Sequence, residues 1–187
     1  MGLLRAAATA AAATVATVAI AAADTRPSGT VPGGTVPGGE VPIGGVLREA
    51  ALAGLNGPSK RLSDYRGRPL LINVWASWCG PCRAEMASLE RLAWTGGAAD
   101  FAIIGISTDD FPDKALGLLK GSNATISHFI DQHLEMETML GASRLPLTVL
   151  VGADGRVLDK IYGAQEWDSA AARAVIDRTF RRGSRAP

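Results

Sequence analysis

Apolar and polar positions between residue 70 and the C-terminus follow two spacings. Short, nearly continuous apolar runs predict buried strands, at 70–76, 101–107 and 147–151. Stretches with helical spacing predict helices, at 79–94, 112–120 (capped by residues 108–112), 132–140 and 169–180 (capped by Asp168). The remaining apolar segments predict a short edge strand at 126–130 and a hairpin, with its turn at 153–156 and its return strand at 157–161. Strands that alternate with helices predict an α/β fold with a central mixed sheet flanked by helices.

The first 45 residues follow a different pattern. Arg5 precedes an alanine-rich apolar stretch, and small residues end that stretch at position 23. We therefore expect residues 1–23 to be a cleaved export signal or an uncleaved N-terminal anchor, with a disordered alanine-rich tail as the alternative. Residues 24–45 contain Val-Pro-Gly-Gly twice and then Val-Pro-Ile-Gly-Gly, which predicts a spacer that is extended at each Val-Pro and flexible at each Gly-Gly. The folded domain is then expected to cover residues 46–187.

The net charge argues against nucleic acid and anionic surfaces as partners. The 187 residues include 19 basic and 18 acidic side chains, for a net charge of +1. Such a balance gives no electrostatic reason to bind nucleic acid or an anionic surface. An exported location would instead place the cysteines where disulfides are common.

Cys79 and Cys82 are the only two cysteines of the chain, and they follow the first predicted strand. A helix that begins here directs unpaired backbone N–H groups and the positive end of its dipole toward the first thiol. We therefore expect Cys79 to be the nucleophile and Cys82, which is more covered, to be the resolving thiol of a reversible redox pair. Pro81 lacks the N–H that a helix start leaves unpaired, and Gly80 lets a partner's backbone approach closely.

Two other uses of the cysteine pair stay open at this point. The pair could form a structural disulfide, although so short a loop removes little entropy from the unfolded chain. It could also form half of a zinc site, but zinc wants four ligands and the chain has no second cysteine pair. His128 and His133 are five residues apart and do not share a helix face, so we expect no metal site.

The run from Asn73 to Met86, Asn-Val-Trp-Ala-Ser-Trp-Cys-Gly-Pro-Cys-Arg-Ala-Glu-Met, resembles the active-site segment of thioredoxin-fold proteins. It is most similar to the exported TlpA/ResA-like thiol-disulfide oxidoreductases. The resemblance extends over about residues 46–180, with matching segments at 62–67, 130–131 and 144–155. It implies a thioredoxin-like fold for a protein that we expect to be monomeric.

The resemblance also implies roles for residues outside the cysteine pair. Pro146 is implied to be a cis proline that faces the cysteines across a groove, where the Leu145 backbone would pair with a substrate strand. Trp78 would form part of the groove rim, and Trp75 is expected in the core. Glu85 stands where this branch places a glutamate, and it lies three residues after Cys82, on the same helix face as that thiol. We therefore expect Glu85 to accept the proton of the resolving thiol. A solvent-exposed helix carboxylate is the alternative for Glu85.

Two positions depart from the pattern of the relatives. Asn73 replaces the buried aspartate of thioredoxins, and an asparagine cannot take a proton from a thiol. Ala87 replaces a proline that usually kinks the first helix, so a straighter helix is expected.

The predicted reaction is thiol-disulfide exchange through the dithiol, without a cofactor. The Gly-Pro dipeptide is shared with reducing thioredoxins at about −270 mV, whereas a strong oxidant lies near −120 mV, a gap of about 7 kcal/mol. The dipeptide therefore favours a reductase. The resemblance implies oxidised extracytoplasmic proteins as substrates, such as apocytochrome c or copper-site proteins, and a transmembrane thiol carrier as electron donor. A dithiol oxidase, a Cu(I) metallochaperone and a binding module with an inert disulfide are the alternatives.

Overall fold

The computed structural model describes residues 38–97 and 100–184. The predicted signal or anchor at 1–23 and residues 24–37 of the predicted spacer lie outside the described residues. Within the described residues, no helix has both the length and the apolar character that crossing a membrane requires.

From residue 70 onward, the described strands and helices follow one another along the chain in the predicted alternation. The strands are β1 (Ala51–Gly54), β2 (Lys60–Arg61), β3 (Leu70–Trp75), β4 (Ala102–Ser107), β5 (Ser127–Ile130), β6 (Leu147–Val151) and β7 (Val157–Tyr162). The helices are α1 (Gly80–Leu92), α2 (Pro112–Gly121), α3 (Glu135–Leu140) and α4 (Ala170–Gly183), with a 3-10 turn at Leu62–Tyr65 and a π-helical turn at Ala93–Gly97.

The sheet is mixed, as predicted, and has the strand order β2-β1-β5-β4-β3-β6-β7. β3 lies next to the centre, parallel to β4 on one side and antiparallel to β6 on the other. Neighbouring side chains of a strand point to opposite faces of the sheet. All six residues of β3 are buried, so both faces of the sheet are covered at this strand. Leu71 packs with residues of α1 and α4, whereas Ile72 packs with residues of α3. This confirms the α/β fold with helices on both faces of the sheet.

Two local predictions were wrong, and two strands were not predicted. β5 is an inner strand, because β1 pairs with it from the side away from β4, and the sequence analysis did not identify β1 or β2. The cap of α4 is Ser169, whose hydroxyl accepts a hydrogen bond from the backbone N–H of Ala172. Asp168 instead forms an ion pair with Arg91, with 2.6 Å between Oδ2 and Nε.

The last residues of the predicted spacer lie against the domain. Val41 is buried, and its backbone N–H donates to the Met139 carbonyl at 2.8 Å. The Gly44 N–H donates to the Val157 carbonyl at 2.8 Å, so residues 41–44 run along α3 and β7. The backbone of this short segment is therefore held by hydrogen bonds to the folded domain.

Candidate active site

The cysteine pair occupies the junction between β3 and α1. Cys79 is the N-cap of α1 and Cys82 lies in its first turn, and the two sulfur atoms form a disulfide. The Cys82 backbone N–H points at the Cys79 sulfur, with 3.2 Å between N and Sγ. Backbone N–H groups at a helix start stabilise a negative charge on the capping atom, so this arrangement favours a thiolate at Cys79 once the disulfide is reduced.

The two cysteines differ in solvent exposure. Cys82 is fully buried, whereas Cys79 retains a small exposed surface. Gly80 faces open space, because a Cβ built there meets no atom within 4 Å. Pro81 lies in the first turn of α1, where its missing N–H leaves no hydrogen bond unmade. The helix start is therefore open at Gly80, and Cys79 is the less covered of the two sulfurs.

The loop before the cysteines is fastened by Asp109. This buried carboxylate accepts hydrogen bonds from the Ser77 backbone N–H at 2.8 Å, the Ser77 hydroxyl at 2.6 Å and the Ser107 hydroxyl at 2.7 Å. The segment 108–112, predicted to cap the second helix, does contain its N-cap. The N-cap of α2 is Phe111, which makes no side-chain capping bond. Asp109 instead ties the end of β4 to the loop that carries the cysteines.

Two aromatic side chains lie exposed on the loops that Asp109 joins. Trp78, directly before Cys79, is 70% exposed, and Phe111 is 68% exposed. Trp75 is fully buried, as the sequence analysis expected. The Leu145–Pro146 bond is cis, as the resemblance implied. Leu145 is partly buried against the apolar cluster that contains both cysteines.

Glu85 is buried one turn after Cys82, with 2% of its surface exposed. Its Oε1 accepts from the Asn73 amide at 2.7 Å, and its Oε2 accepts from the Trp167 indole at 3.0 Å and the Gln165 backbone N–H at 3.1 Å. Burial raises the pKa of the Glu85 carboxyl, and these three hydrogen bonds oppose the rise because they stabilise the ionised form. The alternative of a solvent-exposed carboxylate is therefore wrong.

Sequence reasoning missed Trp167, which lies 82 residues after Glu85 in the chain. No spacing rule connects two such distant positions, and only its amphipathic character, an apolar ring with one N–H donor, could have suggested a buried polar partner.

His128 is also buried, and its Nδ1 accepts a hydrogen bond from the Trp75 indole at 3.1 Å. That nitrogen is therefore occupied. Across residues 38–97 and 100–184, no group of three or more His, Cys, Asp or Glu side chains lies close enough together to hold a metal ion.

Comparison with known proteins agrees with this geometry. The redoxin family model matches residues 21–176. The thiol:disulfide interchange protein HelX of Rhodobacter capsulatus is 34% identical over 60% of this chain and 69% of its own length. DsbE of Vibrio cholerae, also named a thiol:disulfide interchange protein, is 33% identical over 66% of this chain and 74% of its own. The thiol-disulfide oxidoreductase ResA of Bacillus thuringiensis is 28% identical over 59% and 64%, so the chain spans slightly less than two thirds of that relative.

Solved structures show the same fold. A candidate thiol:disulfide interchange protein DsbE from Chlorobium tepidum superposes with a TM-score of 0.68 at 24% identity, over 74% of this chain and 98% of its own. A candidate protein disulfide isomerase from Bacteroides thetaiotaomicron gives 0.65 at 27% identity, over 77% and 93%. With its cysteine pair at the start of α1, the chain belongs to the redoxin family and is a thiol-disulfide oxidoreductase with the thioredoxin-like fold.

Proposed function

We propose that this protein reduces disulfides in extracytoplasmic proteins. The observation that carries the proposal is the asymmetry of the cysteine pair. Cys79 caps α1 at an open face, whereas Cys82 is fully buried behind it on the same helix as a buried carboxylate. A nucleophile that a partner can reach and a covered resolving thiol are what a two-step exchange with a protein substrate requires.

In the first step, the Cys79 thiolate attacks one sulfur of a substrate disulfide. A mixed disulfide forms, and the other substrate sulfur leaves as a thiolate that takes up a proton. In the second step, Cys82 loses its proton to Glu85 and attacks the Cys79 sulfur. The substrate's second sulfur then leaves, and the Cys79–Cys82 disulfide seen in the structure remains. The substrate has gained two electrons and the protein has lost two.

Recognition of the substrate is assigned to the surface around Cys79. The backbone at Leu145, before cis Pro146, would pair with an extended substrate segment, and exposed Trp78 would contact the side chains next to the substrate cysteine. Gly80 and Pro81 complete the face that the substrate covers. This surface needs no cofactor for the exchange itself.

The direction of electron flow and the location rest on sequence features. The Gly-Pro dipeptide between the cysteines is the one found in reducing thioredoxins. Residues 1–23 have the composition of an export signal or an N-terminal membrane tether. We therefore place a monomeric protein in the periplasm or cell envelope, where a transmembrane thiol carrier would return it to the dithiol form. Apocytochrome c and copper-site proteins are the proposed substrates.

Trapping tests the proposal directly. In a Cys82→Ser variant the mixed disulfide cannot be resolved, so an adduct through Cys79 should accumulate on the exported protein, and mass spectrometry would name its partner. The matched Cys79→Ser variant should trap nothing. Equal adducts from both variants, or none from either, would contradict the assigned roles.

A measured redox potential settles the direction. A value near that of thioredoxin supports a reductase, whereas a value above about −180 mV identifies a dithiol oxidase. Tight Cu(I) binding by the dithiol without disulfide turnover would identify a metallochaperone instead.

A further inference from the structure

Trp167 lies on the segment between β7 and α4, which crosses over α1. Its ring is fully buried among Leu89 and Leu92 of α1 and Ile176 of α4. Its backbone N–H donates to the Ser88 hydroxyl at 3.1 Å, and its indole N–H donates to Oε2 of Glu85 at 3.0 Å. The residue therefore makes two hydrogen bonds to the helix that carries the cysteines.

The two oxygens of Glu85 are not equivalent. A carboxylate oxygen has two lone pairs. Oε2 uses both, because it accepts from the Trp167 indole and from the Gln165 backbone N–H. Both of these groups can donate but cannot accept. Among the described residues, Oε1 accepts only from the Asn73 amide, so Oε1 retains one lone pair.

We propose that Trp167 is a positioning residue for the redox reaction, which holds Oε2 of Glu85 in the ionised form and leaves Oε1 as the atom that receives the proton of Cys82. This inference rests on the role of Glu85 in the proposed function. Trp167 touches neither substrate nor sulfur in this scheme and acts only through the carboxylate.

No charged side chain contacts the Glu85 carboxylate among the described residues, so the proton affinity of Glu85 depends strongly on hydrogen-bond donors such as the Trp167 indole. The side chains that meet this carboxylate directly, Asn73 from β3 and Trp167, are uncharged. Asn73 in turn donates to the hydroxyl of Thr148 on β6, which is also uncharged. Cys82 is the titratable group on the same helix one turn away.

The charged residues on either side of Trp167 are paired at the surface, since Arg91 forms ion pairs with both Glu166 and Asp168. Burial therefore raises the pKa of Glu85 and hydrogen-bond donors lower it, and the indole is one of three such donors.

A purely structural role for Trp167 makes a different prediction. If the ring only fills the core, Trp167→Phe lowers stability through lost packing and leaves the proton affinity of Glu85 unchanged. If the indole N–H positions the carboxylate, the same variant raises the pKa of Glu85, because a donor to the charged form is lost. A hydrogen bond to a charged group corresponds to a shift of about one unit.

The test is a carbon-13 NMR titration of the Glu85 carboxyl carbon in the oxidised protein, where neither cysteine titrates. Trp167→Phe should move the midpoint upward by about one pH unit relative to the unsubstituted chain. An unchanged midpoint in a folded Trp167→Phe variant would overturn the proposal.

A second measurement keeps the test decisive if that variant does not fold. In the unsubstituted oxidised protein, the proton NMR signal of the Trp167 indole N–H should shift with the same midpoint as Glu85. The Trp75 indole is the internal control, because it donates to His128, whose pKa burial lowers to about 4, and should follow the His128 midpoint instead. A Trp167 signal that stays flat through the Glu85 titration would also overturn the proposal.

The kinetic consequence is read from the reduced protein. The pH profile of the resolving step should move upward in Trp167→Phe, and in a Glu85→Gln background the same substitution should no longer move it. The NMR titration needs no turnover, so its result does not depend on whether the protein has reductase activity. Failure of the proposed function and failure of this inference can therefore be told apart.

Discussion

Acid should destabilise this protein through His128. The imidazole is buried, and burial lowers its pKa from 6.5 to about 4. Its Nδ1 accepts from the Trp75 indole, which can only donate, so the neutral ring carries its proton on Nε2. The folded state therefore holds His128 neutral over a pH range in which the unfolded chain binds a proton.

The sign and the size of this effect on stability follow from the difference in protons bound by the folded and unfolded states. Between pH 6.5 and about 4 the unfolded state binds more protons at this site than the folded state, so stability falls as the pH falls. The full pKa difference corresponds to about 3 kcal/mol, since each unit is worth about 1.36 kcal/mol. Above pH 7 the site contributes no pH dependence. Glu85 acts in the opposite direction, because burial raises the pKa of its carboxyl in the folded state.

Urea denaturation of the oxidised protein from pH 4.5 to 8 measures the effect, with His128→Asn as the perturbation. Asparagine can keep an acceptor near the Trp75 indole but does not titrate. The loss of packing shifts the variant's stability by a constant, so only the difference in pH dependence is informative.

The unsubstituted chain should lose stability relative to His128→Asn below pH 6.5, and His133→Asn, at an exposed position, should keep the steeper dependence. Parallel curves for the unsubstituted chain and His128→Asn over the whole range would refute a neutral buried His128.

Two further predictions concern stability at neutral pH. Asp109→Ala removes the hydrogen bonds that fasten Ser77, and should lower the free energy of unfolding by about 3 kcal/mol in urea denaturation. Its exposed neighbour is the control, and equal effects of Asp109→Ala and Asp110→Ala would contradict the assigned tether. Gly105→Ala should cost about 1–3 kcal/mol, because the new Cβ would lie 2.1 Å from Nδ1 of His128. Gly117→Ala, in open space on α2, should instead add about 0.5–1 kcal/mol, and thermal melts that reverse this order would refute the packing argument.

Much of the fold could be predicted because local pattern and burial agree. β3, β4 and β6 are short apolar runs that the sheet buries, and their predicted bounds differ from the observed ones by at most a residue. β1 could not be predicted, because Ala51–Gly54 carries a single buried side chain, Leu52. Because β1 pairs with β5, β5 is an inner strand and not the predicted edge strand. Strand order depends on contacts between residues that are distant in the sequence.

The cysteine pair could be identified from four adjacent residues, since its chemistry depends on local geometry at a helix start. The tether between Asp109 and Ser77 and the partners of Glu85 could not, because these hydrogen bonds join residues that are 12 to 82 positions apart. Threonine and aspartate side chains, as at Thr108-Asp109-Asp110, often accept hydrogen bonds from nearby backbone N–H groups at a helix start. In the folded chain the Ser77 backbone N–H, on a neighbouring loop, offers Asp109 a buried donor instead.

Asn73 acquires a physical reason from the same network. Its amide nitrogen lies 2.7 Å from Oε1 of Glu85 and 3.1 Å from the Thr148 hydroxyl. An aspartate at position 73, as thioredoxins carry, would place a second buried carboxyl against Glu85, and two like charges at that distance cannot both ionise at neutral pH. An amide donates to the carboxylate instead and lowers the cost of its burial. The proposed role of Glu85 as proton acceptor therefore fits an asparagine, and not an aspartate, at residue 73, because the amide can donate to the carboxylate from the strand side.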